Sequence, residues 1–203
     1  METAQAIHTR FVDIAQGLGG ELAGAISATP PLKLVPQQDT PFSVRLCRAV
    51  AGQQLSVKAA ISIWQRVVES ASEEPLMEYL AAVSPDNLRS CGLSAAKAKS
   101  MRAIALANRA NQLDATTLGQ LEHSERIRCL TQIWGVGQWT ADMMGIFYFG
   151  DPDIWPDGDT TARKQLETLT SRRRKTSRTA ARFAPHRSYL ALYMWHQADT
   201  PIV

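Results

Sequence analysis

Apolar residues recur at helical spacing along almost the whole chain, and this periodicity is the strongest constraint on its fold. In the first segment Ile7, Phe11 and Ile14 fall on one face of a helix predicted over residues 4–16. Glycine and proline clusters, rather than strand-like alternation, separate such segments. The sequence therefore predicts an all-α protein of roughly ten helices in two lobes.

The predicted helices follow one another along the chain. Ser94 and Ser124 are predicted N-caps, because a serine hydroxyl accepts a hydrogen bond from the free N–H groups of a first helical turn. We expect residues 1–203 to form one functional unit, with a central lobe over about 42–150 and a second lobe made of about 1–41 and 151–203. The later predicted helices are 21–26, 42–51, 56–70, 75–83, 85–90, 94–111, 116–121, 124–132, 138–149, 159–170, 176–183 and 188–197.

The composition excludes several classes of protein. Cys47, Cys91 and Cys129 are isolated and the four histidines are scattered, so we expect neither a zinc site nor an iron–sulfur cluster. No secretory signal is evident, and no apolar run approaches the length of a membrane span. Because scattered, odd-numbered cysteines fit a reducing compartment, we expect a cytoplasmic protein, or a nuclear one in a eukaryote, without membrane association.

Basic residues are concentrated near the C-terminal end of the chain. The formal net charge is only +3, yet residues 168–198 contain no acid. This segment predicts either a strongly positive surface or the solvated face of a helix, and charge alone does not separate the two. The seven basic residues of the segment are Arg172, Arg173, Arg174, Lys175, Arg178, Arg182 and Arg187.

The run WGVGQWTA over residues 134–141 predicts two helices joined by a tight turn. Gly135 and Gly137 suit a backbone that must bend sharply or approach a ligand closely, and Val136 between them can fill the space between the helices. The N–H groups that begin the second helix would form an anion site suited to a DNA phosphate. A GxG turn by itself is more typical of an ordinary connection between helices.

Four patches in the same order resemble the DNA-3-methyladenine glycosylase II family of the helix-hairpin-helix base-excision glycosylases. The likeness extends from about residue 42 to the C-terminus, through residues 51–60, the hairpin with 139–142, residues 156–164, and 187–189 with Trp195. The resemblance implies a two-lobed helical fold with the active-site cleft between the lobes. It also implies a monomeric, monofunctional enzyme that flips out and hydrolytically excises alkylated purines such as 3-methyladenine from double-stranded DNA.

Asp159, twenty positions after Trp139, is the catalytic residue that the resemblance implies. A carboxylate can stabilise the positive charge that develops on the deoxyribose as the base leaves, and it can orient or deprotonate the incoming water. Asp157 is the rival carboxylate and is expected to lie in the preceding turn, while Asp159 is also a predicted N-cap. Trp139 stands where bifunctional relatives carry a lysine, so no lyase step is expected.

The same resemblance implies a pocket for the flipped base. Aromatic faces suit a cationic base through stacking and cation–π attraction. Met143 and Thr160 stand where the family often has aromatic residues, which leaves the range of lesions open. Core packing is an equal alternative for Trp195. The predicted pocket residues are Trp139, Met143, Thr160 and Trp195.

DNA contacts are expected from the hairpin residues Gly135, Val136 and Gly137 and from the segment Gln53-Gln54-Leu55. Gln54 is predicted to fill the space left by the flipped base, with Leu55 as the alternative and an ordinary polar turn as the simpler interpretation. Arg187 is expected either to bind a phosphate or to order its own loop. The resemblance allows a monovalent cation between the hairpin carbonyls and a phosphate, but implies no organic cofactor.

Two other functions fit the sequence. The first is a catalytically silent helix-hairpin-helix protein that recognises distorted duplex DNA, and the second is a glycosylase for oxidised or mismatched bases. The run from Cys91 to Ser94, with Lys97, resembles a second turn of this family, in which backbone amides near Ser94 contact DNA. Simple capping of the following helix is the alternative there.

Overall fold

A computed structural model of the protein describes residues 2–198, which form helices joined by turns and loops and contain no β-strand. The predicted all-α class is therefore confirmed. No helix within the described range has the length and apolar character needed to cross a membrane. The helices are α1 (Ala4–Gln16), α2 (Gly20–Ala28), α3 (Phe42–Gly52), α4 (Val57–Ser70), α5 (Leu76–Ala82), α6 (Pro85–Ser90), α7 (Ala95–Arg109), α8 (Ala115–Gln120), α9 (His123–Leu130), α10 (Gln138–Met144), α11 (Thr160–Leu169), α12 (Thr176–Ala180) and α13 (Arg187–Gln197).

Side-chain caps explain where several of these helices begin. The Ser94 hydroxyl accepts from the backbone N–H of Lys97, which confirms the predicted N-cap of α7. The predicted N-cap at Ser124 is wrong, because α9 begins one residue earlier. There the Glu125 carboxylate accepts from the backbone N–H of Glu122 at 3.3 Å and closes the first turn.

The helix predicted over residues 138–149 is divided in the structure. Helix α10 ends at Met144, and a π-helical turn, Gly145–Phe149, follows it directly. Similarly, α12 is followed by a 3₁₀ turn, Ala181–Phe183. Apolar periodicity predicts that a segment is helical, but it does not distinguish these wider and tighter hydrogen-bonding patterns from an α-helix.

The chain packs as two compact units. The unit that we call terminal consists of Met1–Pro36 and Gly145–Val203, and the unit that we call central consists of Gln37–Met144. Both boundaries lie five or six residues before the lobe limits expected at 41 and 150. At the second boundary the change of unit coincides with the change from α10 to the π-helical turn.

Aromatic side chains fill the core of the terminal unit. The fully buried rings of Phe11 and Phe183 meet edge to face, with 4.8 Å between their centroids, and Tyr193 lies 5.9 Å from Phe11. Edge-to-face pairs of this kind are favourable beyond the apolar area they bury. They join α1, the 3₁₀ turn and α13 around one apolar centre.

The central unit is built on α3, α5 and α7. Leu46, Val50, Leu80, Met101 and Ile104 from these three helices are at most 1% exposed, so the facing surfaces exclude water. Helices α9 and α10 of the same unit form the hairpin that the sequence predicted.

The hairpin turn packs tightly against α7. Gly135 has φ +83°, a left-handed conformation that strains any residue with a Cβ, and a Cβ built there would lie 1.9 Å from Ser100 Oγ. Val136 is 4% exposed, in agreement with a side chain that fills the turn. Both the backbone conformation and the close contact with Ser100 therefore require glycine at position 135.

Replacing Gly135 with Ala is expected to lower the free energy of unfolding by about 2–4 kcal/mol, because the new Cβ meets both backbone strain and Ser100. Gly137→Ala is the matched control, since a Cβ at Gly137 would meet no atom within 4 Å. The control should change the free energy of unfolding by less than about 1 kcal/mol. Urea unfolding followed by tryptophan fluorescence measures both variants, and equal losses would contradict the packing argument.

Candidate active site

The segment before α11 is organised by the carboxylate of Asp157. Asp157 lies in the turn before Asp159, as expected. Its Oδ1 accepts hydrogen bonds from Trp155 Nε1 at 3.2 Å and from Thr176 Oγ1 at 3.1 Å. These two bonds hold the loop in place and tie it to the start of α12.

Asp159 is the N-cap of α11 and is only 9% exposed. Its Oδ1 accepts hydrogen bonds from the backbone N–H of Ala162 at 2.8 Å and from the indole Nε1 of Trp195 at 3.0 Å. The acid is therefore held in a defined position by two separate helices of the terminal unit.

Trp195 combines features of the two roles that the sequence left open. Its side chain is 5% exposed, as expected of a core residue, while its N–H group donates directly to the predicted catalytic acid. Its ring lies 5.6 Å from the half-buried ring of Phe147, in the π-helical turn. Phe147 was not among the predicted pocket residues, because the periodicity of a continuous helix gave no reason to separate it from its neighbours.

The other predicted pocket residues lie on two elements. Trp139 is 36% exposed on α10, and Met143, four residues later on the same helix, is half-buried. This spacing places both side chains on one face of α10. Thr160 is exposed and is the first residue of α11, directly after Asp159.

The segment after α3 presents two side chains to solvent. Gln54 is exposed with φ +57°, and Leu55 is 40% exposed. Gln53 differs from both, because its Nε2 donates to Thr140 Oγ1 on α10 at 2.9 Å. The structure thus separates an anchoring glutamine from the two residues that the sequence proposed to enter DNA.

Lys97 fixes the same segment from the other side. Its Nζ donates to the carbonyl oxygens of Ala51 at 2.9 Å and Gln53 at 2.7 Å, at the end of α3. A cation at this position satisfies carbonyls that have no partner within the helix and complements the negative end of its dipole. Burial lowers the pKa of the Lys97 ammonium. This contact is not predictable from local sequence, because the residues lie more than forty positions apart.

An exposed aromatic residue precedes the hairpin turn. Trp134 is 45% exposed, and Lys99 Nζ lies 4.2 Å above its ring centroid, within the range of a cation–π contact. Gly137, like Trp134, is exposed, whereas Val136 is buried in the turn. The backbone at Gly137, which is predicted to contact a DNA phosphate, is therefore accessible from solvent.

Arg187 orders the loop before α13. Its Nε donates to Asp153 Oδ1 at 2.7 Å, and its Nη2 donates to Asp153 Oδ2 at 3.0 Å and to the Asp153 carbonyl at 2.9 Å. Partial burial acts to raise the pKa of Asp153, but the hydrogen bonds from Arg187 hold that pKa below its ordinary value. The same bonds raise the pKa of Arg187. Arg187 was predicted either to order its loop or to bind a phosphate. Asp153 is the partner for the loop-ordering role, and the phosphate contact stays a prediction.

The histidines take part in separate contacts. His8 Nδ1 lies 2.7 Å from the Tyr193 hydroxyl, and His123 Nε2 lies 2.9 Å from the carboxylate of the buried Asp142. Within residues 2–198, no group of three or more His, Cys, Asp or Glu side chains is arranged to hold a metal ion.

The chain belongs to the HhH-GPD superfamily of base excision DNA repair proteins, whose family model matches residues 47–185. The superfamily predicted from the four patches is thereby confirmed.

Individual relatives agree with this assignment. DNA-3-methyladenine glycosylase 1 of Schizosaccharomyces pombe is 33% identical over 158 residues, which cover 74% of this chain and 69% of that protein. DNA-3-methyladenine glycosylase 2 of Escherichia coli is 26% identical, over 73% of this chain and 55% of that protein. The probable bifunctional transcriptional activator/DNA repair enzyme AlkA of Mycobacterium tuberculosis is 29% identical over 88% of this chain, but only 39% of its own length is matched.

Solved structures share the fold. The 3-methyladenine DNA glycosylase Mag1 of Schizosaccharomyces pombe, in complex with abasic DNA, superposes with a TM-score of 0.77 at 25% identity, covering 96% of this chain and 98% of that one. The DNA-3-methyladenine glycosidase of Bacillus halodurans gives a TM-score of 0.78 at 28% identity, covering 95% and 89%. The helical architecture is therefore that of helix-hairpin-helix glycosylases.

Replacing Lys97 with Met should lower the free energy of unfolding by about 1–3 kcal/mol, because two carbonyls lose their donor. It should also speed amide hydrogen exchange in residues 52–56. Lys99→Met on the same helix is the control, and removing its exposed cation–π contact should cost less than about 1 kcal/mol. Unchanged exchange in residues 52–56 of the Lys97 variant would show that the ammonium does not hold this segment.

Replacing Asp153 with Asn should lower the free energy of unfolding at neutral pH by about 1–2 kcal/mol, because a charge-assisted pair is lost. The pKa of Asp153 is lower in the folded state, so its contribution is complete above the ordinary value of 3.8 and disappears as the pH falls through the folded value. The difference between wild type and variant should therefore narrow below that pH. Urea unfolding at pH 7 and pH 3 tests this, with the exposed Asp13→Asn as the control. A difference in free energy of unfolding that is the same at both pH values would contradict the pairing of Asp153 with Arg187.

Proposed function

We propose that this protein is a DNA N-glycosylase that binds damaged double-stranded DNA and hydrolytically excises alkylated purines such as 3-methyladenine in base-excision repair. Membership of the HhH-GPD superfamily and the names of its relatives support the reaction class. The observation that carries the proposal is the position of Asp159, a buried acid held by the first turn of α11 and by the indole of Trp195.

The proposed reaction needs one fixed carboxylate. Cleavage of the bond between base and sugar leaves positive charge on the deoxyribose, and an oriented carboxylate stabilises that charge without having to reorganise. The same group can orient or deprotonate the attacking water. Alkylated purines that carry a positive charge are good leaving groups, so a separate strong acid is not required to release them.

The absence of a lysine at position 139 supports a monofunctional reaction. A lysine amine would attack the sugar and form a Schiff base, whereas the Trp139 indole has no such nucleophile. Its exposed ring instead offers an aromatic face on which a cationic base can stack. We therefore propose that the product is an abasic site in an unbroken strand.

Binding to DNA is assigned to the hairpin and to the segment after α3. The exposed backbone around Gly137 would contact a phosphate, and the hairpin carbonyls would hold a monovalent cation that adds positive charge there. Gln54, exposed in a left-handed conformation, is the proposed side chain that fills the space of the flipped nucleotide, with Leu55 as the alternative. Both assignments predict contacts that do not depend on base sequence.

Replacing Asp159 with Asn is expected to lower the single-turnover rate of base release at least about 100-fold, because the neutral amide does not stabilise positive charge. Asn is also a good N-cap, so α11 and the affinity for abasic duplex should be retained. Asp157→Asn is the control, two residues away in the same loop. Its amide oxygen can still accept from Trp155 and Thr176, so this variant should keep most of the rate. Full activity of the Asp159 variant would exclude this acid from the reaction.

A panel of duplexes, each carrying one alkylated, oxidised or mismatched base, tests the substrate class. We expect release of alkylated purines to predominate. Predominant release of an oxidised base would overturn the alkylation assignment. Tight binding to damaged duplex without release of any base by the wild-type protein would identify a DNA-damage-binding protein instead.

A further inference from the structure

Six basic side chains form an exposed cluster in the terminal unit, which we call the cationic turn. All six are exposed to solvent, and four of them are consecutive in the connection between α11 and α12. No acid occurs between residues 168 and 198. The residues of the cationic turn are Arg172, Arg173, Arg174, Lys175, Arg178 and Arg182.

The backbone of the cationic turn is well defined. The hydroxyl of Ser171 accepts from the backbone N–H of Arg173 at 3.2 Å, and the Ser171 carbonyl accepts from that of Arg174 at 3.2 Å. The helical segment that follows is anchored by Thr179 and Phe183, which are at most 1% exposed. The cations are thus carried by an ordered turn and the outer face of a packed helix.

The cationic turn differs from three exposed arginines that have acidic partners. Arg89, Arg109 and Arg128 in the central unit lie 3.3, 2.6 and 3.8 Å from a carboxylate. Within residues 2–198, no side chain of the cationic turn forms an ion pair or a hydrogen bond. Because like charges repel one another, concentrating six cations that form no ion pair costs free energy unless an anionic partner compensates.

A hydrogen bond joins the cationic turn to the loop that leads to the candidate catalytic acid. Thr176, next to Lys175, donates to Asp157 at 3.1 Å, and Asp157 is two residues from Asp159. With about 3.8 Å between successive Cα atoms, the Lys175 backbone lies within roughly 20 Å of Asp159. At about 3.4 Å per nucleotide along one strand, this distance corresponds to roughly six base pairs.

We propose that the cationic turn binds phosphates of the DNA that flank the damaged nucleotide, as a second, sequence-independent contact besides the hairpin. The inference rests on the proposed function, since Asp159 locates the nucleotide. Guanidinium groups suit this partner, because their forked donors match phosphate oxygens and their charge displaces condensed counterions. The position of the cluster, rather than the small net charge of the chain, then determines where the duplex is held.

The test compares two variants with the same change in net charge. Arg172, Arg173 and Arg174 are replaced by Gln in the first, and the ion-paired Arg89, Arg109 and Arg128 are replaced by Gln in the second. The association constant K for an undamaged 20-base-pair duplex is measured between about 50 and 200 mM salt. The plot of log K against log salt has a negative slope, and each lost phosphate contact makes it less steep by about 0.9.

We expect the variant of Arg172, Arg173 and Arg174 to have a slope less steep than that of the wild type by about 1–3. The slope of the variant of Arg89, Arg109 and Arg128 should change by less than about 0.5. Thermal unfolding of each variant checks that it folds. If the variant of Arg172, Arg173 and Arg174 is unfolded, the single substitution Arg173→Gln replaces it and should make the slope less steep by about 1. Equal slopes for wild type and the cationic-turn variants would overturn the inference.

A membrane surface is the competing anionic partner for the cationic turn. If the cationic-turn variant keeps its DNA affinity but loses binding to phosphatidylserine vesicles, the cluster recognises a membrane and the inference is overturned. If the wild-type protein releases no base, the proposed function fails, whereas the slope still reports whether the cationic turn contacts DNA. The failure of the proposed function and the failure of the inference are therefore distinguishable.

Discussion

The hydrogen bonds to the Asp159 carboxylate are the interaction on which the candidate site depends. One oxygen accepts from the first turn of α11 and from the indole of Trp195 on α13. A buried carboxylate is costly unless donors compensate for lost water, so the packing of these two helices and the position of the acid are determined together. Any change that moves either helix also moves the acid.

Neighbouring acids in the same segment have different structural partners. Asp153 pairs with Arg187 before α13, and Asp157 joins Trp155 to Thr176 at the start of α12. These bonds fix the loop that leads to Asp159. The result is a rigid frame in the terminal unit, in which a reacting group needs little reorganisation when charge develops near it.

Local chemistry made much of the fold and some of the site predictable. Helical periodicity gave α1 with its observed limits, and a Ser or Asp before an apolar segment gave the N-caps Ser94 and Asp159. The N-cap prediction at Ser124 was wrong because α9 begins one residue earlier, where Glu125 accepts a hydrogen bond from the backbone N–H of Glu122. The π-helical turn with Phe147 and the contact of Lys97 with α3 were not predictable, because both depend on tertiary packing rather than on neighbours in sequence.

The hydrogen bonds that hold the segment Gln53-Gln54-Leu55 after α3 have a thermodynamic consequence. Lys97 holds its carbonyls, Gln53 is bonded to Thr140, and Gln54 already has its unusual backbone angle. The entropy lost in ordering this segment is therefore included in the stability of the free protein. A partner that docks here meets a preorganised surface, and its contact energy is available for affinity instead of being consumed in arranging the chain.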